Sequence, residues 1–169
     1  MNINFKEVQI LRELLELLEK NSRTTTAELA SILGMSEYQV EQDIKRLEKE
    51  KIILSYPTIV NWEKFGSETV TAIISINLTP QREVGFDAIA ERIYRFDEVK
   101  TVYLMSGSFD LLVIIEGKSL KEVANFVATR LSTIEGVTQT RSHFMLKAYK
   151  KDGVIIDDEE QDRRLVVSP

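Results

Sequence analysis

Gln39 and Gln42 stand three residues apart in the run Ser36-Glu37-Tyr38-Gln39-Val40-Glu41-Gln42-Asp43. A glutamine amide carries an acceptor beside a donor, the pairing that matches the adenine edge in the major groove of DNA. Ser36 and Tyr38 flank them and can reach the same groove. Lys45, Arg46, Lys49 and Lys51 follow, and Arg23 and Thr25 precede; these are residue types that bind phosphate and fix a protein's register on a duplex. The chemistry available here is therefore readout of double-stranded DNA, provided the run from Ser36 opens a helix.

The flanking sequence predicts that helix. Thr25-Thr26-Ala27-Glu28 has a threonine three residues before a glutamate, a capping box that opens one helix. Ala27, Leu29, Ala30 and Leu33 give it a buried side, and Gly34 ends it as a residue that tolerates positive φ. Ser36 and Gln39 form a second box, opening a helix at Glu37 whose core stripe is Val40, Ile44 and Leu47. Two capped helices joined by Gly34-Met35-Ser36 make a helix-turn-helix, in which the start of the second helix meets base edges. A longer helix precedes them, about Phe5 to Lys20, with Val8, Leu11, Leu14, Leu15 and Leu18 at helical spacing. Ile52 to Pro57 reads as a short strand and turn, the wing.

Each of these residues also has a plainer use. Ser36 and Thr25 serve as caps with or without DNA. Lys45 and Lys49 can pair with Glu41 and Glu48 along the helix, and Tyr38 can pack on the preceding helix. Asp43 can accept a hydrogen bond from cytosine N4, but the favoured reading is that it neutralises Arg46, three residues on.

The chain has 169 residues with a net charge of −5, and 43% are hydrophobic, enough for a packed core. The first 64 residues hold nine Lys/Arg against eleven Asp/Glu, so the candidate DNA-reading part is not basic overall. Cysteine is absent, which suits a reducing cytoplasm, and His143 is the single histidine; neither a metal nor a cofactor is expected. The longest apolar runs, such as Leu111 to Ile115, are too short to span a bilayer, and the N-terminus lacks the pattern of a signal peptide. No phosphate-binding loop, nucleophile elbow or His-Glu-x-x-His run occurs, so enzymatic activity is not expected.

Beyond Asn61 the pattern changes. Val70–Leu78 reads as a strand, Val84–Phe96 as an amphipathic helix, Val99–Met105 and Phe109–Ile115 as strands joined by Ser106-Gly107-Ser108. A helix follows from Ser119 to about Ile134, opened by a third box (Ser119 and Glu122), and then a long strand, Val137–Tyr149. The order β-α-β-β-α-β is ferredoxin-like. The fold class is thus α+β: a winged helix-turn-helix domain over residues 1–62, then a ferredoxin-like domain with a C-terminal tail over 63–169. In that tail an acidic run, Asp157 to Asp162, reads as a solvated loop, and Leu165-Val166-Val167 as a terminal strand that can pair with a partner subunit.

The stretches Asn21 to Ala30, Leu33 to Ser36 and Ile44 to Glu48 resemble the helix-turn-helix of the Lrp/AsnC regulators. Ser106-Gly107-Ser108-Phe109-Asp110 resembles the Gly-x-x-Asp turn of that family's ligand-sensing domain, and Ile134 to Thr140 the approach to its last strand. The resemblance covers about residues 5 to 151. It implies a transcription regulator that dimerises, often builds octamers, and binds an amino acid or related small metabolite between dimers. Asp43 stands where the family usually has arginine, and Lys51 where a glycine is common after the third helix.

Within the sensor, Gly107 and Ser108 lie in the turn, where Gly107 can admit close backbone approach, and Asp110 can accept a ligand ammonium group. The alternative is a plain hairpin turn with Asp110 making local hydrogen bonds. Thr138, Thr140 and Ser142 alternate along the last strand and share one face, either meeting a ligand carboxylate or lining a solvated surface. His143 falls on the other face and is assigned to packing. The resulting expectation is a cytoplasmic DNA-binding regulator that responds to a small-molecule effector. The rival reading is a metabolite-binding oligomer with weak or lost DNA binding.

Overall fold

The computed structural model describes residues 5–67, 69–79 and 85–156. They divide into two compact units, residues 1–58 and 59–169. Residues 59–62, read from sequence with the first domain, cluster with the second.

The first unit holds α1 (Phe5–Lys20), α2 (Thr26–Leu33) and α3 (Glu37–Lys49). Their apolar stripes close on one another: Leu14 and Leu18 from α1, Leu29 and Ala30 from α2, and Val40 and Leu47 from α3 form the core. Ile44, expected in that stripe, is only half-buried, and Asp43 beside it is buried instead. Thr25 caps α2 with both halves of the box formed, and Gly34 ends it in the left-handed region at φ 66°.

Helix α3 ends differently. Lys51 lies at φ 56°, its N–H donates to the Glu48 carbonyl at 3.0 Å, and the Ile52 N–H donates to the Leu47 carbonyl at 2.9 Å. This paired closure satisfies the last carbonyls of a helix, and it normally places glycine where Lys51 stands. The wing strand expected over Ile52 to Pro57 is not formed; among the described residues no strand pairs with that segment, and a strand needs a ladder partner.

The second unit begins with a short helix, α4 (Trp62–Phe65), capped by Asn61, whose Nδ2 also donates to the Ile156 carbonyl at 3.2 Å. Then come β1 (Val70–Leu78), α5 (Phe86–Tyr94), β2 (Val99–Leu104), β3 (Leu111–Gly117), α6 (Leu120–Phe126), β4 (Val137–Phe144), β5 (Lys150–Lys151) and β6 (Val154–Ile155). The four long strands form an antiparallel sheet in the order β2-β3-β1-β4, as a ferredoxin-like unit requires. Helix α6 continues as a π-helical turn over Val127–Leu131, with the Ser132 hydroxyl donating to the Val127 carbonyl at 2.6 Å.

One face of the sheet carries Ala72, Ile74, Ile76 and Leu78 from β1 and Leu111, Val113 and Ile115 from β3. It packs on Ile89 and Ile93 of α5 and on Val123, Phe126, Val127 and Leu131. The residues between them, Ile73 and Ser75 on β1, Leu112 and Ile114 on β3 and Tyr103 on β2, pair with one another on the opposite face. The sensor helices pack on the first face and not on this open one, where Ile73, Leu112 and Ile114 are half-buried.

Several expected bounds shift. The first sensor helix is described only from Phe86, since Val84 lies outside the described residues. The loop between β2 and β3 runs longer than Ser106-Gly107-Ser108, closing where the Met105 N–H donates to the Asp110 carbonyl at 2.8 Å, so β3 starts at Leu111. Strand β4 stops at Phe144, opposite Ala72; the Met145 N–H still donates to the Thr71 carbonyl at 2.9 Å, but the expected continuation of the strand to Tyr149 is absent. The acidic run and the strand proposed at Leu165-Val166-Val167 lie outside the described residues.

Candidate functional site

Helix α3 presents its first turns to solvent. Ser36, in extended conformation, accepts a hydrogen bond from the Gln39 N–H at 3.2 Å. The reciprocal half of the expected box is missing: the Gln39 amide turns along the helix, its Nε2 3.5 Å from Asp43 Oδ2. The third box is likewise half-formed, because Glu122 accepts from the Lys118 N–H and not from Ser119. Tyr38 is 71% exposed and does not pack on α2, and Gln42 is exposed on the same outward side. Tyr38, Gln39 and Gln42 are therefore brought together at the outward start of α3 above the Ser36 cap.

The cations are partly engaged. Lys45 Nζ lies 2.6 Å from Glu41 Oε1, and that contact raises the lysine's pKa. Arg46 Nη2 donates to Asp43 Oδ1 at 3.0 Å, as the spacing suggested. Lys49 does not pair with Glu48; the Glu48 carboxylate accepts from the Tyr56 hydroxyl at 2.8 Å. Burial, followed by that negatively charged acceptor, pushes the Tyr56 phenol up to about 12. Lys49 and Lys51 are exposed and, among the described residues, in no ion pair.

Thr25 and Arg23 sit at the start of α2. The Thr25 hydroxyl accepts from the Glu28 N–H, while the Thr25 N–H and hydroxyl both donate to Glu28 Oε2. Those bonds, the backbone one first, hold the Glu28 carboxyl below its ordinary value. Arg23 is exposed and its N–H donates to Asn21 Oδ1.

A second polar cluster gathers at one end of the sheet. Asp110 Oδ2 accepts from the Leu78 N–H at 2.7 Å, Asn77 Nδ2 donates to the Ser108 carbonyl at 3.1 Å, and the Thr138 hydroxyl donates to the Asn77 carbonyl at 3.0 Å. Asp110, Ser108 and Thr138 thus converge on the end of β1. The Asp110 side-chain bond reaches Leu78 on β1, 32 residues away, and is not the local turn bond of a plain hairpin. Gly107 has a non-positive φ and open space where a β-carbon would stand, so the backbone does not require glycine there.

Thr138, Thr140 and Ser142 do not share one face in simple alternation. The register of β4 slips against Asn77 and Leu78, leaving Thr138 as the extra residue of a bulge. Thr140 and Ser142 pair with Ile76 and Ile74, which places them on the helix-covered face near the sheet edge, with Ser142 farther from Asp110. His143 is exposed on the open face opposite Ile73, which corrects its assignment to packing. The residue that sequence reasoning missed is Asn77. Its only signal was a polar residue near the end of a mostly apolar strand.

Among the described residues no three His, Cys, Asp or Glu side chains gather to hold a metal, and no helix is long and apolar enough to cross a membrane.

A helix-turn-helix followed by a four-stranded ferredoxin-like unit defines a class of two-part regulators. Residues 10–48 match the model of the AsnC-type helix-turn-helix domain, and residues 71–155 match that of the Lrp/AsnC ligand binding domain. The chain belongs to the Lrp/AsnC family of DNA-binding transcription regulators. It is 49% identical to an uncharacterized HTH-type transcriptional regulator, YugG, of Bacillus subtilis (strain 168), over the full length of both proteins. Its fold matches the crystal structure of the Mycobacterium tuberculosis Leucine response regulatory protein at a TM-score of 0.73 and 25% identity, covering 87% of this chain and 97% of that one. It also matches a transcriptional regulator from Neisseria meningitidis in complex with L-Met, at 0.67 and 21%, covering 92% and 98%.

Proposed function

We propose that this chain is a cytoplasmic regulator, homodimeric at least, that reads duplex DNA with the start of α3 and answers to an amino acid. The observation that carries the first part is the outward cluster of Tyr38, Gln39 and Gln42 above the Ser36 cap. Gln39 and Gln42 meet base edges, Ser36 and Tyr38 flank them, and Arg23, Thr25, Lys45, Arg46, Lys49 and Lys51 meet phosphates. Lys49 and Lys51 do so most readily, because Lys45 first leaves Glu41, while Arg46 keeps Asp43 and offers its remaining N–H groups. Helix α3 carries four acids against three bases, so one head binds weakly and affinity comes from linked heads.

The second copy is supported by the open face of the sheet. Ile73, Leu112 and Ile114 form an apolar strip there, half-buried and on the face away from the sensor helices. Dimers that associate further, to octamers, place an effector between them. Asp110 with Gly107, Ser108, Thr138, Thr140 and Ser142 provides the effector site, and Asn77 joins it. Asp110 Oδ1 takes the ligand ammonium while Oδ2 remains on the Leu78 N–H. The L-Met complex of the Neisseria meningitidis protein supports an amino-acid effector. By linkage, a ligand that favours one assembly changes how many heads engage DNA together.

The test is retention of genomic duplex fragments by the full-length protein across a salt series. Selective retention of a promoter fragment, weakened by Gln42→Ala, is expected; no retention above background at low salt refutes DNA reading and leaves the metabolite-binding oligomer. A thermal-shift screen over the amino acids tests the sensor. A ligand whose stabilising shift survives Asp110→Asn refutes the site.

A further inference from the structure

Asp43 is 8% exposed, the one buried charged side chain among the described residues, and it lies on the helix that reads DNA. Gln39, Asp43 and Arg46 are spaced four and three residues apart, so they form one stripe along α3. Asp43 Oδ1 holds Arg46 Nη2 at 3.0 Å, and Oδ2 faces Gln39 Nε2 at 3.5 Å. A carboxylate only accepts hydrogen bonds, so the side of the Gln39 amide turned toward it must be the nitrogen. The amide oxygen then points outward, away from Asp43.

We propose that Asp43 is a positioning residue for sequence readout: it fixes the Gln39 amide with its oxygen outward, so that Gln39 selects adenine. An outward oxygen accepts from the adenine amino group, and the second Nε2 hydrogen remains for adenine N7. Guanine presents two acceptors at that edge and is rejected. Arg46 contributes indirectly, because its guanidinium has no acceptor and neutralises the carboxylate that orients Gln39.

This inference rests on α3 being the DNA-reading helix, and it makes a sharper demand than that reading does. In Asp43→Asn, Arg46 carries only donors, so its contact with the new side chain is made through the single amide oxygen. The new amide nitrogen then faces Gln39, which must turn its own oxygen inward and its nitrogen outward. Two outward donors suit the N7 and O6 acceptors of guanine. Exchanging one buried group should therefore switch the preferred base, where loss of a merely structural group would weaken all sequences alike.

The experiment selects bound duplexes from a random-sequence pool with the full-length protein, its Asp43→Asn variant and its Gln39→Ala variant. The wild type should enrich an adenine at one position of each half-site, by roughly ten-fold or more over guanine, the discrimination expected of a bidentate contact. Asp43→Asn should move the preference at that same position to guanine, and Gln39→Ala should abolish it. A second measurement needs no variant to fold: wild-type protein on its selected duplex should lose a similar factor when that adenine lacks its amino group. The proposal is overturned if Asp43→Asn keeps adenine or lowers binding uniformly, if Gln39→Ala leaves the preference intact, or if the missing amino group costs nothing. If the wild type enriches no sequence at any salt concentration, the DNA-reading role of α3 falls, and this inference falls with it.

Discussion

Lys51 gives the most direct route from a backbone angle to a measurable energy. It occupies the left-handed position after α3, φ 56°, with the helix closure around it complete. A residue with a β-carbon costs about 1–2 kcal/mol in that region. Glycine removes the cost but adds freedom to the unfolded chain, which takes back about 0.4–1 kcal/mol. Lys51→Gly should therefore stabilise the first unit by about 0.5–1 kcal/mol. For a unit of this size, 1 kcal/mol moves the melting temperature by about 4–8 °C, so a rise of about 2–8 °C in the head's transition is expected by scanning calorimetry of the full-length protein. Lys51→Ala is the control: it deletes the charge and keeps the β-carbon, so it should gain nothing. On DNA the two variants should behave alike, both lowering the slope of log affinity against log salt by about 0.9 for one lost phosphate contact. Strain would then be retained where a cation is useful on DNA. If Lys51→Gly melts no higher than the wild type, or if Lys51→Ala rises equally, the backbone argument is wrong.

Gly136 stands at φ 92°, where a β-carbon would come within 2.8 Å of the buried Ile89 Cδ1; Gly136→Ala should cost about 2–4 kcal/mol by combining left-handed strain with overpacking, measurable by urea unfolding. Thr25→Ala should cost about 1 kcal/mol of head stability and let the Glu28 pKa rise toward its ordinary value, seen by NMR titration. Because the folded value is lowered, Glu28's contribution is complete above the ordinary glutamate range and is lost as pH falls through it. Tyr56 has the opposite sign: a phenol held up to about 12 adds stability that is full below the ordinary tyrosine value and lost as pH rises toward 12. The ultraviolet titration of the wild type minus that of Tyr56→Phe should show a single late-ionising phenol. On the open face, Ile114→Lys should convert the proposed dimer to folded monomer in sedimentation velocity; a dimer that survives it uses another surface.

The elements of this chain were largely legible because their signals are local. Capping residues at Thr25 and Ser36, the spacing of Leu29, Val40 and Leu47, and the β-branched run Val70–Leu78 act within a turn or a strand, and α1, α2, α3 and β1 lie where those patterns put them. The pairing of Asp43 with Arg46 was legible for the same reason, since three residues on a helix fix a neighbour. What sequence could not decide was which partner wins when several are in reach. Gln39 could complete its box with Ser36 or turn to Asp43, one turn on in the same helix; Glu48 could pair with Lys49 or accept from Tyr56, and there the chain path beyond α3 chose the second. Alternation placed Thr138, Thr140 and Ser142 on one face, but a bulge against Asn77 breaks that period, and a bulge is a property of two strands together. The same dependence on a partner left Ile52 to Pro57 outside any ladder and brought Asn77 to Ser108 across 31 residues of chain. The sequence by itself determined the helices, the strands and the chemical inventory of α3. The tertiary structure decided that Glu48 takes the Tyr56 hydroxyl and which polar groups meet at the end of β1, because those outcomes depend on contacts between segments that no local pattern encodes.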